Sequence, residues 1–227
     1  MSTPQVVSKQ RVADHGEVYT HPREVHAMLD LVKHEAERID SRFLEPACGT
    51  GNFLVDILAR KLAVVKATHA ESQLTYERHA IIAIGSIYGI ELLADNVAIC
   101  RQRLFALFDQ QYTQLYETTC KQTCRDNIHF ILQRNILHGD ALTLTMAQAP
   151  WQSLVFSEWS ITSKNLIKRR DFRCMHLTNH TSSQASSSSP DSKEKEAHMF
   201  ELVQEYAPTQ CLIPADYQSR LLLAEEV

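Results

Sequence analysis

In the N-terminal part of the chain, short continuous runs of hydrophobic residues alternate with longer segments in which hydrophobic residues recur at helical spacing. Short apolar runs at 42–48 (RFLEPAC) and 87–93 (IYGIELL) are typical of buried strands. The longer segments 51–70 and 95–120 instead repeat apolar residues at a spacing of about 3.6, as a helix with one buried face does. A further helix is predicted within 71–87. Strands that alternate with helices in this way indicate an α/β fold with a parallel sheet covered on both faces.

The C-terminal third of the chain first continues this pattern and then loses it. Further strands are predicted within 127–142, 153–160 and 171–177. The segment TNHTSSQASSSSPDSKEKEA is rich in serine and charge and almost free of apolar residues, which is typical of a flexible linker. The residues after it regain enough apolar character for a short helix or a docking tail. We therefore predict a domain at 1–177, a linker at 178–197 and a C-terminal tail at 198–227.

Composition is that of a globular protein without a dominant charge. Of the 227 residues, 44% are hydrophobic and 22% are charged, and the net charge is −4, so there is no overall basic field that would attract nucleic acid. Nothing in the sequence is apolar over about 18 consecutive residues, and we expect no membrane span. The six cysteines form neither a disulfide framework nor a zinc-ligand pattern. A reducing cytoplasm is the expected location, and no metal is expected.

The stretch FLEPACGTGNFL places two glycines directly after the first predicted strand. Doubly wound sheets bind ligands at the carboxyl ends of their strands, so this loop is a candidate binding element. Gly49 and Gly51 fit the first two positions of Gly-x-Gly-x-x-Gly, but Leu54 occupies the third. Glu91, which ends the second strand, follows about 40 residues later, whereas a dinucleotide site has its acidic residue after about 20. The alternative that the glycines only permit a tight turn stays open.

Taken together, four segments resemble motifs of the S-adenosylmethionine-dependent DNA amino-methyltransferases. Residues 43–54 resemble motif I, whose usual form is Asp/Glu-Pro-Ala-Cys-Gly-x-Gly. Residues 16–29 (GEVYTHPREVHAML) look like motif X, 87–96 are similar to motif II, and 135–142 (NILHGDAL) are similar to motif III. Their order is the family's order. The resemblance is closest to modification subunits of restriction–modification systems, which methylate the exocyclic nitrogen of adenine.

The resemblance implies a Rossmann-like methyltransferase fold, with helices on both faces of a mostly parallel sheet that is incomplete at its C-terminal side. It also implies the cofactor-binding residues Tyr19, Thr20, Glu45, Ala47, Cys48, Gly49, Gly51, Phe53, Glu91 and Asp140. In such a site Glu45 would accept from the ammonium group of S-adenosylmethionine, Glu91 from the ribose hydroxyls, and Asp140 from the adenine amine.

The N-terminal motif implies a cover for the cofactor. Tyr19 and Thr20 would close over the methionine end, and the glycines would let the backbone approach it. Phe53 would pack against the adenine ring, although an aromatic residue one turn into a helix is more often part of the core. His21 stands between Thr20 and Pro22, where many relatives have proline next to threonine.

The catalytic motif of the family is absent from the sequence. Motif IV, Asn/Asp-Pro-Pro-Tyr/Phe, holds the extruded adenine and accepts from its amine, yet this sequence contains no Pro-Pro. Where the motif is due, the chain has PWQSLVFSEWS, in which Glu158 and Trp159 are candidate substitutes. Lys168, Arg169 and Arg170 form a local basic patch that could contact phosphates or be an ordinary solvated loop.

Three functions are consistent with these motifs. The first is an adenine-specific DNA methyltransferase or modification subunit. The second is a catalytically incompetent S-adenosylmethionine-binding module that assists a partner subunit. The third, against which motif X argues, is a methyltransferase for a small molecule, RNA or protein. The expected partners are DNA and a specificity, endonuclease or second methyltransferase subunit.

Overall fold

The structure is a computed structural model that describes residues 8–15, 18, 20–162, 166–174, 200–205 and 209–210. Its helices are α1 (Lys9–His15), α2 (Pro22–Leu31), α3 (Lys33–Ala36), α4 (Asn52–His69), α5 (Gln73–Gly85), α6 (Ala94–Tyr116) and α7 (Gln122–Asn135). Its strands are β1 (Phe43–Glu45), β2 (Ile87–Glu91), β3 (Ile136–Asp140), β4 (Thr145–Met146), β5 (Ala149–Ser153), β6 (Val155–Ile161), β7 (Leu166–Cys174), β8 (Phe200–Glu205) and β9 (Thr209–Gln210).

Three parallel strands form one side of the first sheet. β2 lies between β1 and β3, with Leu44 opposite Tyr88 and Ile90 opposite Leu137. The β4–β5 hairpin adds two antiparallel strands beside β3, which gives the order β1-β2-β3-β4-β5. β6, β7, β8 and β9 form a separate antiparallel sheet. The predicted α/β class, with a parallel sheet flanked by helices, is confirmed.

The two faces of the parallel strands are covered differently. Ile87 and Ile136 belong to the main core, which is built mostly from the helices α2 and α4 to α7. On the opposite face, Tyr88, Ile90 and Leu137 belong to a smaller core with Phe156 and Cys174 of the second sheet. Leu154, which lies between β5 and β6, is part of the same core. The Tyr88 hydroxyl also donates to the Ser157 carbonyl at 3.2 Å. Among the described residues this second layer is therefore a β-sheet, where helices were expected on both faces.

The structure contains the strand expected within 127–142, since β3 lies there and ends at Asp140. Residues 127–135 belong to α7, because Ile128, Ile131 and Leu132 have the spacing of a buried helix face. Asp95 lies in the first turn of α6, and its carboxylate accepts from Arg11. Part of the tail, β8, pairs with β7 as a strand. The linker and the tail residues other than β8 and β9 lie outside the described residues.

A buried lysine stabilises the chain segment that leads into β1. Lys61 of α4 is fully buried, and its ammonium group donates to the carbonyls of Ile39 and Ser41 and to Ser86 Oγ. These bonds hold the segment before β1 against the end of α5. Burial lowers the pKa of Lys61 to about 7, since desolvation disfavours the charged form.

This depressed pKa predicts stability that rises with pH. Between about pH 7 and pH 10 the unfolded chain binds a proton at Lys61 that the folded chain binds less well. Urea unfolding between pH 7.5 and 9.5, a window within that range, should show a free energy of unfolding that increases with pH. Lys61→Met should remove this part of the slope. Lys66→Met, which replaces an exposed lysine of the same helix, should keep it, and an unchanged slope in Lys61→Met would contradict the assignment.

Candidate cofactor site

An open cleft of about 560 Å³ lies at the carboxyl ends of β1, β2 and β3. This is the edge at which doubly wound sheets bind ligands, and the volume is in the range of small-molecule sites. The cleft is lined by Val18, Thr20, Glu45, Pro46, Ala47, Cys48, Gly49, Asn52, Phe53, Glu91, Leu92, Leu93, Asn96, Gly139, Asp140, Ala141 and Leu142. The structure thus brings eight of the predicted residues to one cleft: Thr20, Glu45, Ala47, Cys48, Gly49, Phe53, Glu91 and Asp140.

The glycine loop adopts a backbone conformation that other residues rarely accept. Gly49 has φ +51° and Gly51 has φ +86°, both in the left-handed region. Gly51 is also the residue that precedes α4, and a Cβ atom there would lie 2.6 Å from Cys100 Sγ of α6. Gly51 does not line the cleft itself. Its role is to let the loop turn into α4 while it lies against α6.

Glu91 joins the loop to the next strand. Its Oε2 accepts from the Gly49 backbone N–H at 2.8 Å, and its Oε1 accepts from the Leu93 backbone N–H at 2.9 Å. The side chain is almost fully buried, at 9% exposure. One carboxylate therefore fixes both the glycine loop and the start of α6 while it faces the cleft.

The other two acidic residues occupy the ends of the flanking strands. Glu45 ends β1, and burial raises the pKa of its carboxyl group, opposed by a hydrogen bond from the Ala47 backbone N–H. Asp140 ends β3, and its Oδ1 accepts from the backbone N–H groups of Leu142 and Thr143 at 2.7 and 3.4 Å. Both of these hydrogen bonds use the same oxygen of Asp140, and they stabilise the turn after β3.

Cys48 is a buried thiol without the features of a nucleophile. A hydrogen bond with the Cys100 thiol, burial and the negative charges of Glu91 and Glu45 all raise its pKa above the ordinary value. A thiol in such surroundings stays protonated and unreactive. Cys48 therefore acts as a packing residue between the loop and α6.

The N-terminal segment reaches the cleft as the motif resemblance implied. Thr20 lines the cleft, and its carbonyl accepts from Asn52 Nδ2 at 3.3 Å, whereas Tyr19 lies outside the described residues. His21, the departure from the usual motif, caps α2, because its Nδ1 accepts from the Arg23 backbone N–H at 3.2 Å. Phe53 lines the cleft and also packs against the main core.

The candidate substitutes for motif IV lie elsewhere. Both lie in β6, and the carboxylate of Glu158 accepts from Arg42 and Arg170 at 2.6 Å each. Trp159 donates to Asn135 Oδ1 at 3.2 Å and stands edge-on to Phe130. Neither side chain lines the cleft.

The basic patch is largely neutralised within the fold. Its residues belong to β7 and not to a solvated loop. Arg169 is buried and bonds to Asp171 and Ser157, while Arg170 pairs with Glu158. These two guanidinium groups serve the second sheet, which weakens the expectation of phosphate contacts there.

Sequence reasoning missed Asn52 and Asn96 of the cleft wall and Arg103 behind it. Asn96 is almost fully buried, and Arg103 Nη1 donates to Asn52 Oδ1 at 2.8 Å. Asn52 lies within FLEPACGTGNFL, directly after Gly51, so its place in the glycine loop could have indicated a residue of the cleft. Arg103 lies about 50 residues further along the chain, and no local pattern connects it to the loop.

The fold and the cleft define a Rossmann-like α/β protein whose candidate ligand site lies at the carboxyl ends of parallel strands. The family model of the MmeI DNA-methyltransferase domain matches residues 21–179, more than half of the chain. The chain therefore belongs to this family, and its predicted membership in the restriction–modification DNA methyltransferases is confirmed. No curated protein and no solved structure matches it at a significant level. In the described part of the chain, no helix combines the length and apolarity that a membrane span requires.

The two hydrogen bonds of Glu91 predict a large effect of an isosteric change. Glu91→Gln places an amide NH₂ against one of the two backbone N–H groups, and we expect a loss of about 1–3 kcal/mol in the free energy of unfolding. Urea unfolding would measure it. Asp140→Asn is the matched control, since asparagine Oδ1 can still accept from Leu142. Equal urea midpoints for Glu91→Gln and wild type would contradict the role of Glu91.

Proposed function

We propose that the chain binds S-adenosylmethionine in this cleft and, as a modification subunit, transfers its methyl group to the exocyclic amine of adenine in DNA. Membership in the MmeI DNA-methyltransferase domain family supports DNA as the substrate. The observation that carries the cofactor proposal is the arrangement of Glu45, Glu91 and Asp140 at the ends of three adjacent strands around one cleft.

The three carboxylates suit an elongated ligand with donors along its length. Adjacent strands lie about 4.8 Å apart, so the ends of β1 and β3 are separated by roughly 10 Å. In that order Glu45 is placed for the ammonium group, Glu91 for the ribose hydroxyls and Asp140 for the adenine amine. The raised pKa of Glu45 is consistent with a carboxyl group whose ionised form gains from a nearby cation.

Two exposed leucines add apolar surface at the rim of the cleft, Leu92 directly after β2 and Leu142 shortly after β3. Leu92 is 50% exposed and Leu142 is 89% exposed, although both are large apolar residues at the rim of a cleft. Together with Phe53 they offer contact area for the faces of an aromatic ring.

The bound cofactor would supply an activated methyl group on a sulfonium, and the chain's contribution is to orient and desolvate it. The glycine loop excludes side chains from the amino-acid end. Glu91, already fixed by two backbone N–H groups, presents an oriented acceptor. Positioning of this kind is the main protein contribution to direct methyl transfer.

The second candidate function, a cofactor-binding module that depends on a partner for catalysis, has specific support. The sequence lacks Asn-Pro-Pro, and Glu158 and Trp159 are engaged away from the cleft. Among the described residues, β1 pairs with β2 alone. The described chain therefore shows no strand on the side where the second half of a doubly wound sheet begins.

Cofactor binding can be tested with a variant that keeps the fold. Asp140→Asn retains the acceptor for Leu142 but turns an oxygen into a donor, so it would repel the adenine amine. We expect isothermal titration calorimetry to give a Kd for S-adenosylmethionine about 10-fold higher than that of wild type. If wild type binds no S-adenosylmethionine at millimolar concentration, the proposed function is wrong in both of its forms.

An assay of methyl transfer distinguishes the two candidate functions, the active methyltransferase and the cofactor-binding module. With tritiated S-adenosylmethionine and adenine-rich duplex DNA, we expect labelled N6-methyladenine when the chain is combined with the proteins encoded beside it. The isolated chain should bind cofactor without this turnover if it is a module. Glu158→Ala should leave turnover per bound cofactor unchanged, because Glu158 is paired with Arg42 and Arg170. Turnover by the isolated chain that disappears in Glu158→Ala would instead support the substitute motif.

A further inference from the structure

Arg103 of α6 holds the glycine loop from behind the cleft. Its Nη1 donates to the Thr50 carbonyl at 2.7 Å, to Asn52 Oδ1 at 2.8 Å and to Thr50 Oγ1 at 3.2 Å. One guanidinium nitrogen thus contacts acceptors of two nearby residues, Thr50 in the loop and Asn52 at the start of α4. Hydrogen bonds from a charged donor are the stronger kind.

This contact fixes the orientation of the Asn52 amide. A guanidinium group has only donors, so the oxygen of the amide must face Arg103 and the NH₂ group must face away. The NH₂ group then donates to the Thr20 carbonyl at 3.3 Å. The hydrogen bonds run in one direction, from α6 through the first residue of α4 to the segment that precedes α2.

The same N-terminal part of the chain has a second attachment to α6. Arg11 of α1 donates to Asp95 Oδ2 at 2.6 Å and to Asn96 Oδ1 at 3.3 Å. Asn96, like Thr20 and Asn52, lines the cleft. The two attachments lie on either side of Val18, which also lines the cleft although it is 60% exposed.

We propose that Asn52, oriented by Arg103, is a positioning residue that fastens the backbone at Thr20 beside the glycine loop and thereby sets the affinity for the amino-acid end of S-adenosylmethionine. This inference rests on the proposed function. The segment is held before the ligand arrives, so ligand binding does not have to supply the free energy of ordering it. Thr20 and Asn52 lie at the glycine-loop end of the cleft, whereas Asp140 and Leu142 follow β3 at the other end.

An isosteric variant isolates the link to Thr20. Asn52→Asp keeps an oxygen for Arg103 but places a second oxygen against the Thr20 carbonyl, so the link to Thr20 is lost while the contact with Arg103 is kept. Hydrogen–deuterium exchange of the ligand-free protein should show faster exchange in the peptide that covers residues 18–29. The Kd for S-adenosylmethionine should rise about 3- to 10-fold, while the Kd for methylthioadenosine, which lacks the amino-acid part, should stay at the wild-type value.

Gln111→Glu is the matched control. Gln111 lies in α6, the helix that carries Arg103. Its amide donates to the Leu62 carbonyl at 2.9 Å, a bond that involves no residue of the cleft. This variant makes the same amide-to-carboxylate change, and both its exchange at 18–29 and its two Kd values should remain at the wild-type level. A loss of affinity in Gln111→Glu equal to that in Asn52→Asp would show that general destabilisation is the cause, and would overturn the inference.

The remaining outcomes separate this inference from the proposed function. Unchanged exchange in Asn52→Asp overturns the link to Thr20 whether or not any ligand binds. Faster exchange with an unchanged Kd for S-adenosylmethionine overturns the effect on affinity. An equal rise of both Kd values overturns the assignment to the amino-acid end. Absence of binding by wild type overturns the proposed function and the affinity claim with it, while the exchange result still decides the link.

Discussion

The carboxylate of Glu91 is the interaction on which the cleft depends. It is almost fully buried, and each of its oxygens accepts from one backbone N–H, one in the glycine loop and one before α6. A buried charge is stable only when it is paired or hydrogen-bonded. These bonds satisfy that requirement and connect β1, β2 and α6 through a single side chain. The loop can lie close to α6 because Gly51 carries no Cβ toward Cys100.

The floor of the cleft and its supports are built by different kinds of contact. Beneath it, Leu54, Leu58 and Leu62 of α4 are fully buried in the main core, so the helix that follows the loop is fixed by apolar packing. At the surface of the cleft, hydrogen bonds from Arg103 and Asn52 set the backbone. Packing places the helices to within van der Waals contact, and directional bonds then determine which groups face a ligand.

Sequence patterns predicted the parts of the site that are local along the chain. The glycine loop, Glu91 and Asp140 each follow a recognisable strand, and these three features do meet at one edge of the sheet. Strands were predicted within 153–160 and 171–177, where β6 and β7 lie, but their pairing into a separate sheet on the second face was not, because a local pattern does not show which segments contact each other. Arg103 escaped notice for the same reason. Arg169 and Arg170 looked like a surface patch, since the sequence does not reveal their pairing with Asp171 and Glu158.

The described part of the chain supplies one half of a doubly wound sheet. Such a sheet binds its ligand where the strand order reverses, so one half carries the glycine loop and the other faces it across the crevice. Here β1 ends the sheet within the described residues, and an apolar groove of about 230 Å³ lies beside Leu44, Tyr88 and Phe156. The described residues that line the cleft include Glu45, Glu91 and Asp140, which are expected to hold a cofactor. The sequence contains no Asn-Pro-Pro, the motif that would be expected to hold an adenine base, so cofactor binding and methyl transfer require separate tests.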